Sequence, residues 1–281
     1  MKWAYNSFPC RVAICLDCGL VKLNPRWSES RYADFYKSKY DLFFRGPGVP
    51  ISELFISDIE GKGKAMSERL ADVALPQKLR VLDIGAGTGF SFFAVLNSRD
   101  ESHADVRTEG EFYAVEASER CREFLRSKNI KIVATDLSEQ LGQEYDFVVC
   151  RHVLEHAVSP LSVLAKVREA LTENGYAYVA VPNMMQYAKS KADTFFRHVH
   201  TFYFNITTLV GCCENVGLYP VKAGWEGENW VILSTRKTEC PVPQISYRQQ
   251  RDVLEEVISC QRCKVKSFVG GIARRVRYGC I

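Results

Sequence analysis

Residues 80–90, Arg-Val-Leu-Asp-Ile-Gly-Ala-Gly-Thr-Gly-Phe, constrain the fold of this chain more than any other stretch. Val81, Leu82 and Ile84 form a short apolar run that predicts a buried strand. Gly85, Gly87 and Gly89 follow, and Phe90 to Leu96 then reads as an apolar helix. Glycine is needed where backbone bends sharply or comes close to a ligand, because a Cβ would collide there. A strand that turns on glycines into a helix belongs at the carboxyl edge of an open α/β sheet, where such proteins bind ligands. The G-x-G-x-G spacing says little by itself. Its flanking strand, its helix and the acidic Asp83 make it informative.

The following segments keep the same alternation. Glu111 to Val115 predicts a second strand, ending at Glu116, where an acid is placed to accept hydrogen bonds from ribose hydroxyls. Residues 118–127 read as a helix and Ile130 to Ala134 as a third strand, with Asp136 and Leu137 at its end. Asp136 has two readings: it accepts from an adenine amino group with Leu137 against the ring, or it caps the next turn. Tyr145 to Cys150 is a strand buried on both faces, and it runs into Arg151-His152-Val153-Leu154-Glu155-His156. Ser159-Pro160 opens a helix to about Thr172, and Asn174-Gly175 turns into a fifth strand, Tyr176 to Val181. Leu209 to Val216 reads as a helix, and Tyr219 to Ala223 and Trp230 to Thr235 as the last strands. Alternation at this spacing means a mostly parallel sheet with right-handed crossovers.

Composition excludes several classes. The 281 residues suit one large α/β domain with an accessory segment, or two small domains. With 47% hydrophobic and 25% charged residues the chain is an ordinary globular one, and a net charge of +4 is too mild to signal nucleic acid. No apolar run reaches the roughly 20 residues that span a bilayer. Met1 to Phe8 lacks a basic-then-apolar signal, so a cytoplasmic location is expected. There, eleven cysteines do not make a disulfide framework.

Cys15-Leu-Asp-Cys18-Gly19 has the spacing of a zinc knuckle. Cys10 is a candidate third ligand, and a fourth would come from Cys260, Cys263 or Cys280; the alternative is a metal-free knuckle. Ser28 to Tyr40 predicts a helix with Tyr32, Phe35, Tyr36 and Tyr40 near one face. Ile51 to Ala74 predicts a second helix with Leu54, Ile59, Met66 and Leu70 inward. Together they are expected to form a lid. After Cys240-Pro-Val-Pro, Ile245 to Cys263 is again helical. The end is basic, with Arg262, Lys264, Lys266, Arg274, Arg275 and Arg277, and reads as a solvated tail or as a contact for an anionic substrate, RNA or a membrane surface.

Taken in order, the Val81–Gly89 motif, Glu116, Asp136-Leu137 and Asp-Phe-Val-Val-Cys-Arg-His-Val-Leu-Glu-His resemble the class I S-adenosylmethionine-dependent methyltransferases over about residues 79–235. The Cys-x-x-Cys-Gly-Leu-Val and Asn24-Pro25 beginning is similar to a branch with an N-terminal zinc knuckle, common in bacterial polysaccharide, deoxysugar and natural-product pathways. The first cysteine pair of that branch is missing here. The resemblance implies a Rossmann-like, doubly wound α/β fold with a mostly parallel seven-stranded sheet. It implies a knuckle and helical lid at 1–78, a methyltransferase core at 79–237 and a basic helical extension at 238–281. By the same resemblance, Asp83 and Gly85, Gly87 and Gly89, with Ala86 and Phe90 among them, hold the methionine portion of the cofactor. Glu116 takes the ribose with Ala117 beside it, Asp136 and Leu137 hold the adenine, and Cys150 and Arg151 line the floor beneath the methyl group. No lysine follows Gly89 as in a P-loop, and the spacing is not the G-x-G-x-x-G of nicotinamide enzymes.

His152-x-x-Glu155-His156 also fits an inverted zinc-peptidase pattern. That pattern needs a helix, whereas this segment leaves a sheet edge. Three readings stay open. His156 or His200 is a general base for a hydroxyl, amine or acidic carbon, with His200 preferred to His198 because it stands beside Thr201-Phe202, expected to open the next helix. Alternatively, Glu155 and His156 bind a divalent ion with His198 or His200, or they only cap the next helix. The expected acceptor is a small molecule such as a nucleotide-linked sugar or glycan precursor. The rivals are a metal-assisted RNA methyltransferase and a non-catalytic module that kept the fold.

Overall fold

The computed structural model describes residues 11–40, 48–98, 109–186 and 195–264. Cys10, Cys280, the side chains of Cys260 to Lys264, and the basic end beyond Lys264 lie outside what it describes. The chain begins with strands β1 (Val12–Ile14) and β2 (Val21–Leu23) and helices α1 (Glu29–Ser38) and α2 (Ile51–Asp58). A wide π-type turn (Ile59–Gly63) leads into α3 (Lys64–Leu70). Then come β3 (Lys78–Ile84), α4 (Phe90–Asn97), β4 (Glu109–Val115), α5 (Glu119–Ser127), β5 (Lys131–Ala134) and β6 (Tyr145–Arg151). The rest is α6 (Pro160–Ala170), β7 (Leu171–Pro182), β8 (Phe202–Tyr203), α7 (Ile206–Asn215), β9 (Tyr219–Gly224), β10 (Glu228–Ser234) and α8 (Tyr247–Lys264).

Seven strands form one sheet in the order β5-β4-β3-β6-β7-β10-β9. The pairs β3–β4, β3–β6 and β4–β5 are parallel and β9–β10 antiparallel, the Rossmann-like, doubly wound arrangement expected. The chain moves outward from β3 through β4 to β5, then returns to place β6 on the other side of β3. That reversal is a topological switch point, where open α/β sheets bind their ligands. Phe147, Val148, Val149 and Cys150 of β6 are inaccessible to solvent, so the run is apolar because both faces are covered. No helix among the described residues is long and apolar enough to cross a membrane.

The chain divides into two compact units, Ser30–Arg151 with Lys166–Tyr178, and Met1–Glu29 with His152–Ala165 and Val179–Ile281. In the second unit β1, β2 and β8 make a small antiparallel sheet over a core of Val21, Leu23, Met184, Tyr203 and Leu254. Asn205 starts α7 with a capping box: its side chain accepts from the Thr208 amide (2.8 Å), and the Thr208 hydroxyl accepts from the Asn205 amide (3.0 Å).

Three expectations need correction. The helix from Ile51 ends at Leu70 rather than Ala74 and is broken by the π-type turn, which carries the poor helix formers Gly61 and Gly63. Asn174-Gly175 is not a turn before β7 but lies inside it. A Cβ on Gly175 would sit 2.9 Å from the Tyr145 carbonyl, so that glycine serves close approach. Thr201-Phe202 opens no helix: the Thr201 amide and hydroxyl donate to the Glu155 carbonyl (2.6 and 3.0 Å), and the chain continues into β8.

Candidate functional site

In the first unit the ladder registers Ile84 with Val115 on one side and with Cys150 on the other. Strands β3, β4 and β6 therefore end level, which brings Gly85, Glu116 and Arg151 to one carboxyl edge. The amides of Gly85 and Ala86 both donate to the Val115 carbonyl (2.8 and 3.2 Å), bending the chain out of β3. Gly85, Gly87 and Gly89 have φ of 74°, 56° and 79°, a region that L side chains rarely adopt. A Cβ on Gly89 would in addition stand 2.6 Å from Leu125 Cδ2. Gly89→Ala is expected to cost about 1–3 kcal/mol in stability, read by denaturant unfolding. An unchanged midpoint would show that the turn relaxes freely.

Two carboxylates flank this turn. Glu116 is 7% exposed. One of its oxygens accepts from the Gly87 amide (2.7 Å) and the other from the Ser118 amide (2.8 Å). The same segment is held from below by Arg122, whose Nη1 donates to the carbonyls of Glu116 (2.9 Å) and Ala117 (2.6 Å), while Ser118 caps α5. Asp83 is 3% exposed and accepts from the Ser91 hydroxyl. Burial pushes its carboxyl up to about 7; the Ser91 hydrogen bond opposes this, the Glu116 charge adds to it, and Arg151 opposes it.

The remaining residues expected at the edge are there. Ala86 and Phe90 are buried, Cys150 is inaccessible, and the Arg151 guanidinium lies over the Phe90 ring at 5.5 Å. Asp136 is exposed and accepts from the amide (2.6 Å) and hydroxyl of Ser138, which hold it below the usual carboxylate range; it thus caps a turn, with Leu137 half-buried beside it. Glu139 completes that turn by accepting from the Thr135 amide (2.7 Å) and hydroxyl (2.8 Å). Sequence reasoning missed Asp58, whose carboxylate accepts from the Thr88 hydroxyl within the glycine turn (2.9 Å). It sits in a segment read only for its apolar face, and no motif marks it.

In the second unit Leu154–His156 is a single 3-10 turn. His152 and His156 are therefore not set out along a helix, which excludes the peptidase pattern; His152 Nε2 instead meets Glu228 Oε2 at 2.8 Å. His156 Nδ1 lies 2.7 Å from the Val199 carbonyl. A carbonyl only accepts, so Nδ1 carries a proton, and in the neutral ring Nε2 then holds the lone pair. Nε2 faces Glu155 Oε1 at 3.7 Å, and the His156 and His200 rings meet edge to face with centroids 4.8 Å apart. Glu155 is 2% exposed and its Oε2 has no hydrogen-bond partner. Burial lowers His156, against the raising influence of Glu155 and the Val199 carbonyl, and it takes His200 well below the ordinary imidazole value. His198 stacks instead on Trp27 (5.3 Å, 4°).

Cys15 and Cys18 occupy the loop between β1 and β2, where the Gly19 amide donates to the Cys15 carbonyl (3.0 Å). Cys15 is half-buried and Cys18 exposed. Among the described residues, the one group of three or more side chains close enough to share a metal ion is Glu155, His156 and His200.

A family model described as a methyltransferase domain matches residues 59–223. The tRNA U34 carboxymethyltransferase of Helicobacter pylori strain Shi470 is 26% identical over 176 residues, covering 59% of this chain and 62% of the relative. The chain thus matches less than two thirds of that relative's length. Among solved structures, the 1,6-didemethyltoxoflavin-N1-methyltransferase of Burkholderia thailandensis, with bound 1,6-didemethyltoxoflavin and S-adenosylhomocysteine, has a TM-score of 0.53 at 16% identity, covering 80% of this chain and 98% of that one. The magnesium protoporphyrin IX methyltransferase of Synechocystis, with bound S-adenosylhomocysteine, has a TM-score of 0.52 at 16% identity, covering 73% and 99%. At these identities the likeness is one of fold.

Proposed function

We propose that this chain, which belongs to the family of methyltransferase domains, is a class I S-adenosylmethionine-dependent methyltransferase whose acceptor is a small molecule such as a nucleotide-linked sugar or a glycan or natural-product precursor. The cofactor half of this reading is carried by the two buried carboxylates, Asp83 and Glu116, beside a turn of left-handed glycines. Such a cradle suits a ligand with sulfonium and ammonium charges. When bound, the cofactor supplies an electrophilic methyl group on a positively charged sulfur.

Asp83 and the turn from Gly85 to Phe90 hold its methionine portion. Each Glu116 oxygen spends one lone-pair direction on an amide and keeps another for a ribose hydroxyl. Asp136 accepts both Ser138 bonds on Oδ1, so the turn cap leaves Oδ2 to take the adenine amino group with Leu137 against the ring; Cys150 and Arg151 take the floor beneath the methyl group. On the acceptor side, an imidazole of the His156–His200 pair takes the proton lost by the acceptor's hydroxyl, amine or acidic carbon. Both rings are largely enclosed, which suits a small acceptor better than a polyanion held on an open basic face. His200→Ala is expected to lower kcat at least about a hundredfold while leaving cofactor affinity by calorimetry unchanged. Unchanged turnover would remove His200 from the mechanism.

A second reading, RNA as acceptor, is favoured by the likeness to the tRNA U34 carboxymethyltransferase. Methyl transfer from labelled cofactor, run side by side on nucleotide-linked sugars and on tRNA, separates the two. Label in tRNA alone, with binding that falls steeply as salt rises, would overturn the small-molecule acceptor. Zinc in the Cys15–Cys18 loop, with Cys10 as third ligand, is part of the same proposal, and metal analysis decides it.

A further inference from the structure

The Glu155 carboxylate has two features that a buried group rarely combines. It is almost wholly withdrawn from water, and one of its oxygens makes no hydrogen bond. Its other oxygen stands 3.7 Å from His156 Nε2 and 3.9 Å from His152 Nδ1, both too far for a hydrogen bond. A buried carboxylate left in that state is costly unless a positive charge reaches it. The His156 ring does not supply one readily. Its Nδ1 proton is committed to the Val199 carbonyl, and in the neutral ring the nitrogen turned toward Glu155 then carries a lone pair. A carboxylate oxygen and an imidazole lone pair thus face each other across a short gap.

We propose that Glu155, His156 and His200 bind a divalent first-row transition-metal cation. One ligand atom from each of the three lies within 4.8 Å of the others, and ligands on one such ion sit about 3–3.5 Å apart at bond lengths near 2.1 Å, so a small inward movement closes the set. Two imidazoles and one carboxylate are donors suited to Zn2+, Fe2+ or Co2+ rather than to Mg2+ or Ca2+, which prefer all-oxygen sets. The Nδ1–H bond from His156 to a backbone carbonyl fixes the ring with Nε2 presented, as metal-binding histidines commonly require. The backbone around the set is fixed as well, because the Thr201 amide ties the Glu155 carbonyl to the segment that carries His200. Three protein ligands leave positions open for water or for an oxygen of the acceptor. With the cation bound, the lone pairs of both imidazoles are taken up as ligands, so this site stands as the alternative to the base role given above for His156 or His200; the acceptor contact rests on the methyl-transfer reading, and the cation site itself does not.

The test uses the full chain, stripped with a chelator and carrying Cys15→Ser and Cys18→Ser so that the thiol loop takes up no metal. Calorimetry with Zn2+ and visible absorption with Co2+ are expected to give one equivalent bound. Glu155→Gln and His200→Ala, each in the same background, are expected to weaken that binding at least about tenfold. Cofactor binding, measured on the same samples, shows that the variants remain folded. No binding in the chelator-stripped protein, or binding that neither substitution weakens, would overturn the site. Loss of turnover in His200→Ala without any bound cation would overturn it too, and would leave the histidine as a base. A cation bound at one equivalent and lost in both variants upholds the site, even where no acceptor is methylated.

Discussion

Lowering the pH from 8 to 6 is expected to weaken S-adenosylmethionine binding about tenfold, and Asp83→Asn is expected to remove that dependence. The cause is the Asp83 carboxyl, pushed up to about 7 chiefly by burial. The cofactor's positive charge favours the ionised form, so below about pH 7 each further drop of one in pH costs about a factor of ten in affinity. The same burial acts on the free protein with the opposite sign. A carboxyl whose folded value is raised binds more protons folded than unfolded, so its contribution to stability falls as pH rises from the usual carboxylate range toward 7. Across that range the change is on the order of 4 kcal/mol. Cofactor affinity should thus rise over the pH span in which this contribution to the free protein's stability declines. Asp83→Asn, which keeps the shape without the charge, is expected to bind the cofactor at least about a hundredfold more weakly, with a flat profile. Calorimetry across the pH range checks both parts. An unaltered pH profile in Asp83→Asn would dismiss Asp83 as the titrating group.

Glu116→Ala is expected to lose cofactor binding at least about a hundredfold and to lower stability by about 2–5 kcal/mol. The stability loss arises because the substitution leaves two amides, Gly87 and Ser118, without the acceptor they share. Glu116→Gln retains one acceptor oxygen and turns an N–H toward the other amide, so it should fall between the wild type and Ala. Chemical denaturation and calorimetry on the same preparations separate the two losses. Cofactor binding at full strength in Glu116→Ala would refute the ribose assignment.

The sheet and its glycine turn were legible because their signals are local. β6 announces itself by apolar residues on both faces, and the turn by three glycines between a strand and a helix. Glu116 was legible for a related reason: a parallel ladder in register carries the end of β4 to the level of the end of β3. What could not be read depends on partners distant in the chain. Strands of two or three residues, such as β1, β2 and β8, have no periodicity to detect, and exist because they pair with one another. The Thr88 hydroxyl meets Asp58 thirty residues away, and the Val199 carbonyl that orients His156 leaves no trace in the type of residue 199. Asn174-Gly175 misled because glycine serves close approach as well as turning, and composition does not separate the two.

The bond from the Gly87 amide to Glu116 exists in the protein by itself. The carboxylate is already in one rotamer and the loop already in one conformation when a ligand arrives. Freezing such a side chain takes about 0.5–1.5 kcal/mol of conformational entropy, and here that loss falls on folding instead of on association. On the proposed assignment of Glu116 to the ribose, selectivity for the nucleoside is then set by rigid geometry before encounter rather than by adjustment afterwards.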